Sequence, residues 1–322
     1  MADLPQTVVE VQEVSGKGRG VVAKEDIASG TRIMCEKPLF TVANTQPEVL
    51  NKVVASKVKD LSKEQQRQFL SLHNSHPGQY PFSGIVKTNC LPCGPGARVG
   101  GIYPTICLIN HDCVPNTNHS WNEDGGFETI HAVRPIKQGE EITIDYSASG
   151  PSYARQAQLR DSFGFDCHCN ICSLSPDAIK LSDTRRLEIE RLDAAIGDPG
   201  RMMERPSACL ADCRSLAQLL EEEYNGSAFT LRARVCYDAF QICAAHGDRS
   251  RASAFAERAY KARVMGEGED NPDTKKMKRY TQDPTLHSNF GGYSHRWKGS
   301  SRFSPSALSE AEFEAWLWRR AG

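Results

Sequence analysis

The sequence predicts an α+β protein, in which a β-rich first half carries a helical insertion and is followed by an α-helical second half. Short β-branched runs separated by glycines fill residues 7–42 and return between residues 103 and 146, a pattern typical of small strands and tight turns. From residue 178 onward, apolar residues recur at helical spacing instead. A length of 322 residues accommodates about two domains, and the change of pattern puts their boundary near residue 175.

The first half contains strands, an insertion and a cysteine-rich end. We expect strands near residues 8–11, 21–22, 31–35, 103–109, 129–133 and 141–146. Between residues 46 and 73, Val54, Val58 and Phe69 lie at helix-like intervals among polar residues, which predicts an insertion of about two helices. A helix is expected at residues 152–160. The predicted domains are therefore residues 1–150 with the insertion at about 44–88, a cysteine-rich segment at 151–175, and a helical domain at 176–322.

The second half is predicted to form four helices, at residues 181–196, 207–223, 229–246 and 251–265. Large and small apolar residues alternate along them, as in antiparallel hairpins of the tetratricopeptide type, although they fit a strict 34-residue repeat poorly. Residues 270–301 contain Pro, Gly and charge without a period, which predicts a loop. A last amphipathic helix is expected at residues 309–319.

Composition limits the classes of function. Hydrophobic residues make up 39% of the chain and charged residues 25%, with a mean hydropathy of -0.49, values typical of a soluble globular protein. No apolar run approaches the ~20 residues of a membrane span, and residues 1–10 do not resemble a signal peptide. A net charge of -1 predicts no direct binding to nucleic acid or to a membrane. We therefore expect an intracellular protein, in the nucleus, the cytoplasm or both.

Twelve cysteines in a reducing compartment indicate metal ligands or buried apolar side chains rather than disulfides. Cys167, Cys169 and Cys172 lie within six residues and can converge on one ion. Tetrahedral zinc takes four ligands, and the best candidate for the fourth is Cys113, which lies in a polar segment. In the alternative interpretation, His168 is the fourth ligand and Cys113 is a buried thiol. Four thiolates leave no open position, so the predicted zinc is structural.

The other cysteines favour structural roles. Cys90 and Cys93 form a metal-like pair, but no second pair lies at zinc-finger spacing, so a structural loop is the preferred interpretation. A second set falls on predicted helix faces, where a thiol packs as a small hydrophobic side chain; these are Cys209, Cys213, Cys236 and Cys243.

The glycine-rich run at residues 16–20 can approach an anionic or nucleoside ligand closely, because its backbone is unobstructed and Lys17 and Arg19 can pair with a carboxylate. It lacks the trailing Gly-Lys-Ser/Thr of a phosphate-binding loop, and no helix follows it as a dinucleotide site requires. Both of those classes are therefore excluded.

Four motifs in order carry a family resemblance. They are the glycine run, the segment Asn-His-Asp-Cys-Val-Pro-Asn at residues 110–116, the segment Gly-Glu-Glu-Ile-Thr-Ile-Asp-Tyr at residues 139–146, and the cysteine-rich segment. Together they resemble a SET domain with its post-SET zinc site, over residues 7–173. The insertion and the helical half resemble the SET-and-MYND subclass and fungal SET proteins. The MYND zinc module is missing, since residues 43–89 contain no cysteine.

The resemblance implies a pseudoknotted fold and an S-adenosylmethionine-dependent protein-lysine methyltransferase. Lys17, Gly18 and Arg19 would hold the methionine end of the cofactor. Asn110 and the backbone of His111 would hold its amino group and adenine edge. Phe165 would stack on the adenine, the alternative being plain core packing.

Two tyrosines are the expected catalytic residues. The hydroxyl of Tyr146 would lie near the sulfonium of the cofactor and orient the substrate amine. Tyr103 would line the channel that holds the substrate lysine. For each tyrosine, packing at a strand end is the alternative. Phe163 stands where the subclass usually has a channel tyrosine, which predicts lower activity or a less tightly oriented amine. Ile144 stands where SET enzymes select their product with Phe or Tyr, and a side chain without a hydroxyl predicts di- or trimethylation.

The substrate class is less constrained. The leading hypothesis is a lysine-containing histone tail. A non-histone protein is the first alternative, and a catalytically decayed SET-fold interaction protein, supported by Phe163, is the second. The helical half could also bind a partner protein.

Overall fold

A computed structural model describes residues 8–146, 149–298 and 308–318. The chain forms two compact units that divide between Ile179 and Lys180. The first contains three small sheets with helices, and the second is helical. The predicted α+β class is therefore confirmed.

Among its described residues, the first unit has ten strands, which form the sheets. One sheet has the order β1-β2-β10-β7, the second β3-β9-β8, and the third β4-β6-β5. The strands are β1 (Val9–Val14), β2 (Gly18–Ala23), β3 (Arg32–Glu36), β4 (Phe40–Ala43), β5 (Leu91–Pro92), β6 (Val99–Ile102), β7 (Asn110–His111), β8 (Thr117–Asn122), β9 (Phe127–Ala132) and β10 (Glu141–Ile144).

Strand β10 positions the candidate site. It pairs antiparallel with β2, where Ile142 faces Val21, and parallel with β7, where Thr143 is opposite Asn110. Val21 and Ile142 are fully buried, so burial of apolar surface fixes the register of β10. As a result, the glycine turn between β1 and β2, the dipeptide of β7 and the end of β10 become neighbours.

The insertion contains three helices, α1 (Pro47–Asp60), α2 (Lys63–Leu70) and α3 (Pro81–Asn89). They enclose a core of their own that includes Val54, Val58 and Phe69. A capping box between Ser62 and Gln65 begins α2, satisfying backbone donors that a helix start leaves open. The sequence predicted only two helices here. The third was missed because α3 is short and its buried face contains Ser83, Gly84 and Asn89.

Helix α4 (Ser152–Phe163) leads into the cysteine-rich segment. It ends at Gly164, whose φ of 76° is left-handed, a conformation that glycine adopts without steric cost. Phe163 is therefore the last helical residue, and the chain reverses just before Phe165.

The helical part continues with α5 (Pro176–Ile196), α6 (Pro199–Glu204), α7 (Pro206–Tyr224), α8 (Phe229–Ala245), α9 (Arg249–Glu267), α10 (Pro272–Gln282) and α11 (Glu310–Leu317). Helices α8 and α9 pack together, and α7 and α10 pack on α8 and α9 respectively. Cys209, Cys213 and Cys243 are fully buried members of the helical core, which agrees with their predicted apolar role. No helix of the described residues has both the length and the apolar character needed to cross a membrane.

The loop prediction for residues 270–301 was wrong in part, because the segment contains α10. Asn271 caps α10, and Pro272 lies in its first turn, where proline is well tolerated. Of the residues of α10, only Thr274, Met277 and Tyr280 are buried. They are too few to give the sequence a helical period of apolar residues among so many charged ones. Residue 319 of the predicted last helix lies outside the described residues.

Candidate active site

The glycine turn lies beside the Asn-His dipeptide and is attached to it by Glu141. The Lys17 ammonium donates to Glu141 Oε2 at 2.7 Å, and Asn110 Nδ2 donates to Glu141 Oε1 at 2.8 Å and to the Arg19 carbonyl at 3.3 Å. A Cβ atom on Gly20 would come within 2.8 Å of Asn110 Nδ2. Glycine at this position therefore allows the strand to pack directly on the amide.

Arg19 points from the turn towards the insertion. Its guanidinium donates to the Ser71 carbonyl and, at 3.3 Å, to the Ser71 hydroxyl. Gly18 has a φ of 71° with open space around it, so this turn needs glycine for its conformation and presents its backbone freely. Lys17 thus ends the turn, and Gly18 and Arg19 begin β2 next to Asn110 of β7.

His111 connects the site to the cysteines. It is 4% exposed; its Nδ1 accepts the backbone N–H of Tyr146 at 3.1 Å, and its Nε2 lies 3.3 Å from Cys113 Sγ. Burial is the main cause that lowers the pKa of His111 to about 4. The imidazole is therefore neutral at pH 7, with its proton on the nitrogen that faces the thiol.

Tyr146 lies at the centre of an aromatic cluster. Its hydroxyl donates to the Ile109 carbonyl at 2.7 Å. Its ring centroid is 4.6 Å from Phe163 and 6.5 Å from Phe165, the latter edge-on, and Phe165 is also 6.2 Å from His111. Burial raises the pKa of Tyr146 above its ordinary value, so the phenol stays neutral and serves as a hydrogen-bonding group rather than a base.

Tyr103 is placed differently from the other predicted site residues. Its side chain is fully buried, and its hydroxyl lies 3.5 Å from Glu128 Oε2, to which it donates. Glu128 is fully buried too and lies 2.9 Å from His119 Nδ1. This environment is that of a satisfied core side chain, so it favours the packing alternative, and a channel role for Tyr103 stays a prediction.

The four predicted cysteine ligands lie together. The sulfur atoms of Cys113, Cys167, Cys169 and Cys172 are all within 4.8 Å of one another; Cys113 Sγ lies 4.0 Å from Cys167 Sγ and 3.6 Å from Cys172 Sγ. A zinc tetrahedron with Zn–S bonds of about 2.3 Å has edges of about 3.8 Å, so the set fits zinc. His168 is exposed, which favours Cys113 as the fourth ligand.

A buried arginine supports the same fit. Arg155 of α4 is 1% exposed, and its guanidinium donates to the Gly150 carbonyl at 2.6 Å and lies 3.9 Å from Cys172 Sγ. No carboxylate among the described residues forms an ion pair with it. A buried cation without a counter-ion is costly. Thiolates bound to a metal provide negative charge at this position, whereas neutral thiols do not.

Two functional candidates escaped the sequence analysis. Glu141 belongs to the segment at residues 139–146, and the signal that could have indicated its ion pair is a carboxylate in a chain that also has a basic glycine run. Arg155 lies in a helix with four other charged or amide side chains, and nothing in the sequence indicates that it is the buried one. Cys90 and Cys93 are not part of the four-sulfur group.

Comparison with known proteins identifies the family of the chain. The SET domain family model matches residues 18–147. The histone-lysine N-methyltransferase set5 of Schizosaccharomyces pombe is 34% identical over 284 residues, which cover 87% of this chain and 86% of that protein. Over shorter segments, human histone-lysine N-methyltransferase SMYD3 is 44% identical, covering 22% of this chain and 17% of its own, and human N-lysine methyltransferase SMYD2 is 35% identical, covering 28% and 20%. The chain belongs to the SET-domain family of S-adenosylmethionine-dependent protein-lysine methyltransferases.

Proposed function

We propose that this protein methylates lysine in a histone tail, with the glycine turn, the Asn-His dipeptide and Tyr146 forming its active site. The observation that carries the proposal is the position of β10 between β2 and β7, which gathers all three segments at one edge. S-adenosylmethionine, when bound, supplies an electrophilic methyl group on a positively charged sulfur.

The chain would bind the cofactor with complementary polar groups. Lys17, Gly18 and Arg19 offer cationic side chains and an open backbone for the carboxylate of the methionine end. Asn110 offers an amide oxygen for the ammonium group, and the backbone of His111 offers partners for the adenine edge. Phe165 offers a partly exposed ring for stacking on adenine.

Tyr146 would orient the substrate amine. Its hydroxyl proton is already donated to Ile109, so the lone pairs of the oxygen remain as acceptors for the N–H groups of the amine and for positive charge near the sulfonium. Because burial raises the pKa of Tyr146, its hydroxyl is already protonated at neutral pH. It therefore cannot take the proton from the lysine. That proton leaves to water before transfer, since only a neutral amine has the lone pair that attacks.

We further propose that the four cysteines hold one structural zinc ion. Gln156 supports this arrangement by donating to the Cys167 carbonyl at 2.7 Å and accepting from the Cys167 backbone at 2.9 Å, which attaches the segment to α4. The ion would keep Phe163 and Phe165 against Tyr146. The proposed organisation is a SET domain at residues 1–150, a post-SET segment at 151–175 and a helical domain at 176–322, supported by the division between Ile179 and Lys180.

Histone is the favoured substrate because set5 of Schizosaccharomyces pombe, whose match covers 87% of this chain, is named a histone-lysine N-methyltransferase. An enzyme of this kind acts inside the cell, in the nucleus or the cytoplasm. A non-histone protein is the second candidate, favoured by the broader name, N-lysine methyltransferase, of one relative. Binding of a partner by the helical domain stays a hypothesis without a specific site.

The product is proposed to be di- or trimethyl-lysine. Ile144 carries no hydroxyl and is 4% exposed, so it cannot hydrogen-bond an amine and restrain it after the first transfer. Mass spectra of the methylated peptide check this proposal, and a product that stays monomethylated under excess cofactor contradicts it.

The first experiment pairs calorimetric titration of S-adenosylmethionine with a transfer assay on histones and on cell-extract proteins. We expect saturable binding and labelled histone. Labelled extract proteins with unlabelled histones would replace the histone proposal by the non-histone one. Folded, zinc-loaded protein that does not bind the cofactor would support the decayed alternative.

A further inference from the structure

We propose that Glu141 is a positioning residue, which fixes the amide of Asn110 so that its oxygen faces the ammonium group of the cofactor. The inference rests on the proposed cofactor site. It adds a residue that the motifs alone do not assign to binding.

Two acceptors fix the orientation of the Asn110 amide. Both N–H groups of Asn110 have acceptors, Glu141 Oε1 at 2.8 Å and the Arg19 carbonyl at 3.3 Å. A flipped amide would direct its oxygen at these two oxygens, which is repulsive. The carboxylate of Glu141 therefore sets which end of the amide faces the strand and which end faces away.

The amide oxygen of Asn110 remains available to a ligand. Among the described residues, none donates a hydrogen bond to Asn110 Oδ1. The side chain of Asn110 is partly exposed, so this oxygen can be reached from outside. A fixed, accessible acceptor beside a glycine turn is suited to an ammonium donor, and a charge-assisted hydrogen bond is stronger than a neutral one.

Only a carboxylate can accept from both of the donors that face Glu141. Glu141 accepts simultaneously from Asn110 and, at 2.7 Å, from Lys17. Glutamine has one acceptor oxygen, and its amide nitrogen would face one of these two donors. Asn110 and Glu141 are also packed tightly against the strand, since a Cβ on Gly20 would lie 3.1 Å from Glu141 Oε1. Glu141→Gln therefore loosens the amide of Asn110 without changing the size of the side chain.

The test compares three ligands by calorimetry. S-adenosylhomocysteine carries the ammonium group, its desamino analogue keeps the carboxylate but lacks the ammonium, and methylthioadenosine lacks the whole amino-acid end. We expect the wild type to bind S-adenosylhomocysteine at least about tenfold more tightly than the desamino analogue. In Glu141→Gln this ratio falls below about threefold, while methylthioadenosine affinity stays within about twofold.

Glu13→Gln is the matched control, because it removes an exposed carboxylate from the strand position opposite Arg19 and should leave the ratio unchanged. An unchanged ratio in Glu141→Gln overturns the inference, as does an equal loss of affinity for all three ligands, which indicates a merely structural role. If no ligand binds the wild type, the proposed cofactor site fails first, and the inference fails with it.

Discussion

The hydroxyl of Tyr146 donates a 2.7 Å hydrogen bond to the carbonyl of Ile109, one residue before the Asn-His dipeptide. The ring is also held by its backbone bond to His111 and by contact with Phe163 at 4.6 Å. Two separate segments, residues 109–111 and the end of α4, thus fix one phenol, which is the kind of preorganisation that a group-transfer site needs.

Tyr146→Phe should remove transfer but keep binding. The variant loses only the oxygen that orients the amine, so we expect the turnover rate to fall by roughly a hundredfold, with cofactor affinity within about threefold of the wild type. Single-turnover transfer and calorimetry measure the two quantities. A variant that transfers at the wild-type rate would remove Tyr146 from the chemistry.

The sequence was most informative where chemistry restricts residue choice. Cys113 could be assigned to the cysteine group because no strand or helix pattern explained a thiol in its polar segment. Glu141 could not, because a glutamate in a turn-to-strand junction has many ordinary roles, and its partners Lys17 and Asn110 are distant in sequence. Only the pairing of β10 with β2 and β7 brings them together.

Fold prediction failed where few residues are buried. Helix α10 has three buried positions, and α3 buries small and polar residues, so neither has the apolar period on which a sequence reading depends. The wider α+β division succeeded because it rests on long stretches of each pattern. Tyr103 illustrates another limit, since a tyrosine at a strand end has the same local sequence whether it faces a channel or a buried glutamate.

Replacing Cys169 should remove the metal and weaken cofactor binding. Cys169→Ser leaves three thiolates, so we expect less than one zinc per chain by elemental analysis. Release of the segment would also detach Phe165 from Tyr146, so affinity for S-adenosylhomocysteine should fall at least about tenfold.

Cys93→Ser is the control for the zinc experiment, because Cys93 lies outside the four-sulfur group. It should keep one zinc and wild-type affinity. Unchanged cofactor binding by zinc-free Cys169→Ser would separate the metal from the cofactor site.

Arg155 should contribute to metal affinity through its charge. Arg155→Met removes the buried cation 3.9 Å from Cys172 Sγ, and loss of such a supporting group lowers metal affinity by about 10- to 100-fold. Competition with a chromogenic chelator measures the change. Arg155→Lys should recover part of it, whereas Arg160→Met, which breaks a surface pair with Asp166, should have no effect; equal zinc affinity in Arg155→Met would contradict the role.

Asp238 of α8 should make the helical unit less stable as pH rises. Burial is the largest cause that raises the pKa of Asp238 to about 6, with Asp193 adding to the shift and Arg234 opposing it. Because the folded carboxyl holds its proton more tightly than the unfolded one, stability falls as pH rises from about 4 through about 6. The cost above that range is on the order of 2 kcal/mol.

Asp238→Asn removes this ionisation, so we expect the melting temperature to rise by about 3 to 6 °C at pH 8 and to change little at pH 4. Calorimetric scans at both pH values provide the comparison, with the exposed Glu222→Gln as control. Equal shifts at the two pH values would exclude ionisation as the cause.

The insertion contacts two segments of the candidate site. Arg19 of the glycine turn bonds to Ser71, and the Ser75 hydroxyl donates to the Phe163 carbonyl at 2.6 Å. The Cα atoms of Ser71 and Ser75 can be separated by no more than about 14 Å, the reach of four extended residues. The insertion therefore limits how far the glycine turn and Phe163 can move apart, and a shortened or lengthened 71–75 segment would change the distance between them.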